Sequence, residues 1–356
     1  MFFIRSIVLA DEGGVDRLRS MGEQDSKVLR VIVQPLNRTI KVEPGANLLQ
    51  ALLDAKVPVS HSCRSGRCGT CRCRVSGGEV LEHGGESASP ALGEGDFVLA
   101  CQTYLTEPCT IEIPEADEVV IHPARVAKAT VISVTRLVHD VCRLVLKPNR
   151  PIQYSPGQYL SLEFGPGMTR PYSMASLCSD GDLEFHVRIV PDGRVSHHIA
   201  SALHPGDSVK VTGPLGTSYL RLKHGGPILC VAGGTGLAPI LAIIRGAIAS
   251  GLKNPIRLYF GVRSPADVYG LEWIDALRQA YPALSVQVVY ASGGDPQRQR
   301  TGLVTTAIEA DIARLDAWCA YVCGSPPMVE AVTMLIKQRG IDPARIYADA
   351  YYPQAH

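Results

Sequence analysis

The sequence predicts a multidomain chain in three parts: a small α+β unit, an antiparallel β-barrel, and an α/β unit built on a parallel sheet. Three observations carry this expectation. With 356 residues the chain exceeds one ordinary hydrophobic core. Between Arg125 and Thr212 short alternating segments separated by turn residues follow one another, the pattern of a closed antiparallel barrel. From Gly225 onward apolar strands alternate with helical segments, which implies a parallel sheet.

The first 27 residues are polar after Ala10 and lack periodicity, so 1–27 is expected to be a flexible tail, with Met21 a candidate start. Val28 to Leu36 alternates, Asn37-Arg38 turns, and Thr39 to Val42 pairs back as a hairpin. Asn47 with Gln50 caps a short helix that buries Leu48, Leu49, Leu52 and Leu53 and ends near Lys56. A strand at Arg72 to Val75, a Gly77-Gly78 turn, a strand from Phe97 and the closing Ile111-Glu-Ile complete the unit. The proline-marked charged stretch from Pro114 to Val120 is a connection, giving units at 28–118, 119–224 and 225–356.

The first unit carries Cys63, Cys68 and Cys71 in one loop and Cys101 at a distant strand end. The spacing C-x4-C-x2-C followed by one remote cysteine is the plant-type pattern for a 2Fe-2S cluster, in which each of two irons needs two thiolates. Gly66 and Gly69 let the loop turn backbone N–H groups toward the cluster sulfides. Zinc prefers two C-x2-C pairs, and Cys101 has no such neighbour. A disulfide framework fits poorly with cysteines scattered through apolar runs, and Cys73, Cys109, Cys142 and Cys178 read as packing residues.

In the barrel, strands are expected at Arg125–Leu137, Cys142–Lys147, Gln158–Phe164, Leu183–Val190 and Ser208–Thr212, with one helix over Ser196–Leu203. Arg170-Pro171-Tyr172-Ser173 combines a guanidinium for a pyrophosphate, a ring to stack on a flat cofactor and a hydroxyl to reach a ring nitrogen. Gly193-Arg194-Val195-Ser196 feeds a helix N-terminus, an anion site. Alone, each string also fits an ordinary strand or turn; together they describe a flavin site.

In the last unit, Ile228 to Ala232, then Gly233-Gly234-Thr235-Gly236-Leu-Ala-Pro239 and an apolar helix over Ile240–Ile248, form the strand, glycine loop and helix that seat a dinucleotide pyrophosphate. Pro239 stands where G-x-G-x-x-G has its third glycine, so a plain Rossmann dehydrogenase matches poorly. Further strands are expected at Ile256–Phe260, Ser285–Tyr290 and Ala320–Cys323, and helices near Ala266–Gln279, Val304–Ile312 and Met328–Arg339. Arg263 follows the second strand, where an arginine accommodates the extra phosphate of NADP. This predicts NADH as donor with NADPH tolerated.

Composition narrows the class. Apolar residues make up 46% and charged residues 19%, as in soluble globular proteins, and the net charge of +1 argues against nucleic acid or a membrane as partner. No apolar run is long enough for a membrane helix, so a cytoplasmic protein is expected.

The order of cluster loop, R-P-Y-S barrel, G-G-T-G-L-A-P loop, Cys323-Gly324-Ser-Pro-Pro327-Met328 and the closing Ile346-Tyr-Ala-Asp-Ala-Tyr351 resembles the ferredoxin–NAD(P) reductase superfamily. It is most similar to reductase components of aromatic-ring-hydroxylating systems. The resemblance implies a β-grasp-like ferredoxin unit, an FAD barrel and an NAD(P) unit, passing electrons from NADH through FAD and the cluster to a Rieske-type ferredoxin. Tyr172 and Ser173 would face the flavin ring, and Arg170 with Gly193, Arg194 and Ser196 its phosphates. His186, Val187 and Arg188 would line the same pocket. Gly234, Thr235, Gly236, Gly324 and Met328 would serve the dinucleotide. Cys323 would sit at the hydride-transfer point unless it is a core cysteine, and Tyr351 would cover the flavin, with Asp349 where a glutamate is common. Arg64, Arg67, Arg72 and Arg74 suggest a positive rim that steers an acidic partner, or that offsets cluster charge. Direct donation to a monooxygenase and a non-redox metal-binding role are the alternatives.

Overall fold

The computed structural model describes residues 28–57, 59, 71–82, 91–93, 95–113 and 122–351. The expected tail, Cys63, Cys68, Arg64 and Arg67 lie outside these residues.

In the first unit, Leu29–Gln34 sends Leu29, Val31 and Val33 inward and pairs antiparallel with Arg38–Val42. It also pairs parallel with Cys109–Glu112, which continues through Arg72–Gly77 to Phe97–Leu99 in a five-stranded sheet. The helix Leu48–Asp54 packs on this sheet. Asn47 Oδ1 accepts the Gln50 N–H, as the capping pattern predicts, but the Gln50 side chain donates onward to Asp54. The helix stops at Asp54, short of Lys56, because Lys56 takes a left-handed φ of 55° that ends the ladder. Leu53 is consequently only partly buried.

The second unit has six antiparallel strands in the order Thr169–Ser173, Tyr159–Glu163, Ser208–Leu215, Arg125–Val138, Val141–Pro148 and Leu183–Arg188. An antiparallel bridge between Met174 and Phe185 joins the two ends and closes the barrel. Leu144, Leu146, Leu160, Leu162, Phe185 and Val187 fill its interior. The helix over Arg194–Ser201 begins two residues earlier than expected, directly after Gly193.

In the third unit all six strands are parallel, in the order Arg300–Thr301, Leu284–Tyr290, Ile256–Val262, Ile228–Gly233, Cys319–Gly324 and Ile346–Ala350. Chain order reverses beside Ile228–Gly233, and the crevice at the carboxyl ends of the strands opens there, as the physics of open α/β sheets places it. Leu237–Ala249 is apolar on nearly every side and buried between sheet and barrel, and Pro239 is accommodated in its first turn, where no ladder N–H is needed. The segment expected as one helix over Ala266–Gln279 is divided into a 3₁₀ turn, Pro265–Asp267, and a helix, Leu271–Ala280. Gly270, at φ 71°, makes the break between them. The strand Ile346–Ala350 was not among the strands expected. Among the described residues, no helix is long and apolar enough to cross a membrane.

Close approach of the glycine loop to the strand Cys319–Gly324 sets the packing of this unit, since a Cβ at Gly236 would overlap the Cys323 carbonyl. Gly236→Ala is expected to cost roughly 2–3 kcal/mol through overpacking and to lower the thermal unfolding midpoint by several degrees. Gly225→Ala, with nothing near its would-be Cβ, is the control and should leave the midpoint within about a degree.

Candidate functional site

A cleft of about 920 Å³ runs between the barrel and the carboxyl edge of the parallel sheet. Its walls bring together most of the residues singled out from sequence. Arg170, Pro171, Tyr172 and Ser173 come from one barrel strand, and Gly193, Arg194 and Ser196 from the following turn and helix. Gly234, Thr235, Arg263 and Met328 come from the α/β unit, with Asp349 and Tyr351 from its last strand and the residue after it.

The two units touch within the cleft where Ser173 Oγ donates to Asp349 Oδ2 at 3.0 Å, across 176 residues of sequence. Burial pushes the Asp349 carboxyl up, with the Ser173 bond opposing the shift. Burial, then Asp349 and Cys323, push the Tyr351 phenol well above the ordinary tyrosine range, and the Tyr351 N–H donates to Gly324 O at 2.9 Å. Tyr172 is likewise raised by burial and stays neutral. The hydroxyl of Ser173 and the carboxyl of Asp349 can therefore hold a proton in the cleft wall beside Tyr172.

The glycine loop is shaped for a dinucleotide. A Cβ at Gly234 would lie 2.6 Å from the Arg188 guanidinium. The helix Leu237–Ala249 has no side-chain cap and continues directly from the 3₁₀ turn Gly234–Gly236, whose Gly234 and Thr235 carbonyls accept the Leu237 N–H. Gly193 likewise leaves the helix Arg194–Ser201 without a side-chain cap. Ser196 differs from its expected role: its Oγ accepts from Val190 N–H and donates to Gly193 O, so the hydroxyl braces the turn. These residues fit a flavin nucleotide in the barrel half and a dinucleotide in the sheet half.

Several sequence expectations are corrected by the packing. Val187 points into the barrel core, because strand alternation turns it opposite to His186 and Arg188. His186 lines the cleft with Arg188, as expected, and its ring also packs across the boundary between the units: Nδ1 lies 3.1 Å from the Tyr269 hydroxyl, Nε2 lies 3.2 Å from Glu184, and the ring stacks on Trp273. Burial lowers its pKa and keeps it neutral. Cys323 is fully buried in the sheet core and does not line the cleft; burial, then Asp349 and Cys230, hold its thiol protonated, with Ser218 as hydrogen-bond partner. Gly236 and Gly324 likewise stand behind the cleft wall. Arg263 is not simply open to solvent: it is engaged by Asp267 and Asp140.

At the cluster end, Cys71 and Cys101 are buried neighbours, and the Cys101 N–H donates to Cys71 Sγ at 3.4 Å. Gln102 Nε2 donates to Cys101 Sγ at 3.7 Å, and Asn47 Nδ2 donates to the carbonyls of Cys101 and Thr103. Backbone and amide donors aimed at sulfur suit thiolates that carry the charge of an iron–sulfur cluster. Burial pushes the Cys73 thiol up to about 12 and, with Glu107, the Cys109 thiol up to about 11, as befits packing cysteines. Arg72 stacks over Phe97 at 4.0 Å and Arg74 pairs with Glu112 at 3.8 Å, so the described part of the arginine rim is engaged locally.

Tyr269 and Trp273 are not singled out by the sequence, whereas Asp349 is noted there through the resemblance, as standing where a glutamate is common.

Comparison with known proteins agrees with this geometry. Residues 31–106 match the 2Fe-2S iron-sulfur cluster binding domain, 128–219 the oxidoreductase FAD-binding domain and 230–334 the oxidoreductase NAD-binding domain. The chain is 52% identical over 325 residues to the ferredoxin–NAD(P)(+) reductase component of naphthalene 1,2-dioxygenase/salicylate 5-hydroxylase systems from Ralstonia sp., covering 91% of this chain and 99% of that protein. It is also 52% identical, with the same coverage, to the corresponding component of the naphthalene 1,2-dioxygenase system of Pseudomonas putida. Among solved structures, an Amycolatopsis cytochrome P450 reductase superimposes with a TM-score of 0.69 at 34% identity, covering 91% of this chain and 99% of that one. The ferredoxin reductase of carbazole 1,9a-dioxygenase gives 0.63 at 28%, covering 91% and 98%. With cluster, flavin and nucleotide units in one chain and half its residues shared along nearly the full length of these relatives, the protein is an oxidoreductase that belongs to the family of ferredoxin–NAD(P)+ reductase components of aromatic dioxygenase systems.

Proposed function

We propose that this chain carries electrons from NADH, with NADPH tolerated, through FAD and a 2Fe-2S cluster to a Rieske-type ferredoxin that feeds an aromatic-ring-hydroxylating dioxygenase in the cytoplasm. The observation that carries the reading is the 52% identity over 325 residues to reductase components of naphthalene dioxygenase systems, on a chain whose cleft presents both nucleotide halves. FAD, when bound, supplies the conversion between two-electron and one-electron chemistry.

The residues take separate tasks. Tyr172 stacks on the ring, and Arg170 with the uncapped turn at Gly193 and Arg194 holds the phosphates. Ser173 and Asp349 hold a proton at the ring edge where the two units touch. The glycine loop, with Thr235 and Met328, orients the dinucleotide, while Cys323, Gly236 and Gly324 back that wall. Cys63, Cys68, Cys71 and Cys101 are the cluster ligands. The family matches at 31–106, 128–219 and 230–334 support units at 28–118, 119–224 and 225–356.

A second reading, direct donation to a terminal monooxygenase, is favoured by the likeness to the Amycolatopsis cytochrome P450 reductase and by 35% identity to an aromatic O-demethylase reductase subunit of that genus. The lower identity ranks it second.

Two variants test the division of labour. Cys101→Ser is expected to lose the visible absorption of the cluster and reduction of a Rieske ferredoxin, while NADH-dependent reduction of ferricyanide, a flavin-level acceptor, stays within about twofold. Loss of both activities together would contradict a cluster acting after the flavin. Ser173→Ala is expected to slow reduction of bound FAD by NADH about 10- to 100-fold, with little change in KM; stopped-flow absorbance at the flavin band reads the rate, and an unchanged rate would exclude the Ser173 role.

A further inference from the structure

An ionic network beside the cleft joins the barrel to the α/β unit and has no part in the chemistry above. Asp140 lies in the turn between the barrel strands Arg125–Val138 and Val141–Pro148. Its Oδ2 accepts from Arg188 Nη1 at 2.8 Å and from Arg263 Nη2 at 2.7 Å. Arg263 also donates to Asp267 Oδ1, through Nε at 3.0 Å and through Nη2. Asp267 is itself anchored, its Oδ2 accepting from the Ser264 N–H and hydroxyl at 2.9 and 2.6 Å. The carboxylates are 18% and 6% exposed, whereas the Arg263 side chain is 62% exposed and stands in the wall of the cleft.

Arg263 follows the second strand of the parallel sheet, where the ribose next to adenine lies in dinucleotide-binding folds. An arginine there attracts a 2′-phosphate, but this one is already shared by two carboxylates. A phosphate dianion approaching it meets Asp140 and Asp267 and must compete with both. Neutral ribose hydroxyls meet no such repulsion and can donate to a carboxylate. Asp267 belongs to the same loop as Arg263 and moves with it. Asp140 reaches in from the other unit, and its Oδ1 is buried with no hydrogen-bond partner among the described residues, 3.9 Å from His139 Nε2. It adds negative charge that the loop itself does not require.

We propose that Asp140 is a specificity-determining residue: by holding Arg263 from across the domain boundary it limits the arginine's availability to a 2′-phosphate and favours NADH over NADPH. This rests on the nucleotide-oxidoreductase reading above. Arg263 is then the residue through which NADPH is tolerated, and Asp140 is the residue that limits the tolerance.

The test is calorimetric binding of adenosine 2′,5′-bisphosphate and of adenosine 5′-monophosphate to the FAD-loaded full chain, for wild type, Asp140→Asn, Arg263→Ala and the double variant. Asp140→Asn is expected to raise the affinity for the bisphosphate relative to the monophosphate about five- to tenfold. The double variant is expected to lose that gain, and the ratio of kcat/KM for NADPH over NADH to move in parallel. A ratio within about twofold of wild type in Asp140→Asn, or a gain that persists without Arg263, would overturn the proposal. Asp140→Ser, which removes the charge and keeps a small acceptor, serves as the second variant if Asp140→Asn does not fold, with the same expected gain. Absence of NADH-dependent dye reduction by the wild type would overturn the underlying reading instead, independently of the binding ratio.

Discussion

The contact between Ser173 and Asp349 governs the arrangement of the site. One residue ends a barrel strand and the other lies on the edge strand of the parallel sheet, so the 3.0 Å hydrogen bond exists only when the two units close on each other. Closure brings Tyr172 and Ser173 into one cleft with the glycine loop. It also takes the Asp349 carboxyl and Tyr351 phenol out of water, which is why burial is the first cause of both raised pKa values. A site built on the ends of strands from two rigid sheets holds its groups more tightly than loops would.

The rest of the domain boundary keeps that contact in register. The Tyr269 hydroxyl lies between His186 Nδ1 at 3.1 Å and the Gly234 carbonyl at 3.4 Å, linking a barrel strand to the glycine loop. Glu184 accepts from His186 and from Arg143, and burial is outweighed there by these bonds, which hold its carboxyl at about 2. Further along, Ser218 donates to Tyr347 O at 3.1 Å and the Arg221 N–H donates to Tyr321 Oη at 2.7 Å. Buried polar groups that find partners across a boundary fix one relative placement of the two sheets.

Much of this was legible in the sequence. The three-part division, the alternation of Leu29, Val31 and Val33, the Asn47 cap and the glycine loop are local features, and local spacing states them directly. What escaped depends on contacts between distant segments. His186 shares a strand face with Arg188 and lines the cleft, as the sequence suggests, but its contacts with Tyr269 and Trp273 come from a distant segment and carry no local signal. Cys323 looks reactive beside Gly324, but it sits in a strand paired on both sides and is wholly enclosed. The break at Gly270 and the strand at Ile346–Ala350 follow from tertiary packing that no short window contains.

In the proposed function, electrons leave this chain through its cluster to a separate carrier. The most direct test is the anaerobic rate at which the protein, given NADH, reduces a purified Rieske-type ferredoxin, set beside its rate of direct reduction of a Rieske oxygenase. Fast reduction of the ferredoxin and slow reduction of the oxygenase are expected. Fast direct reduction of the oxygenase, with the ferredoxin making no difference, would contradict the proposed function.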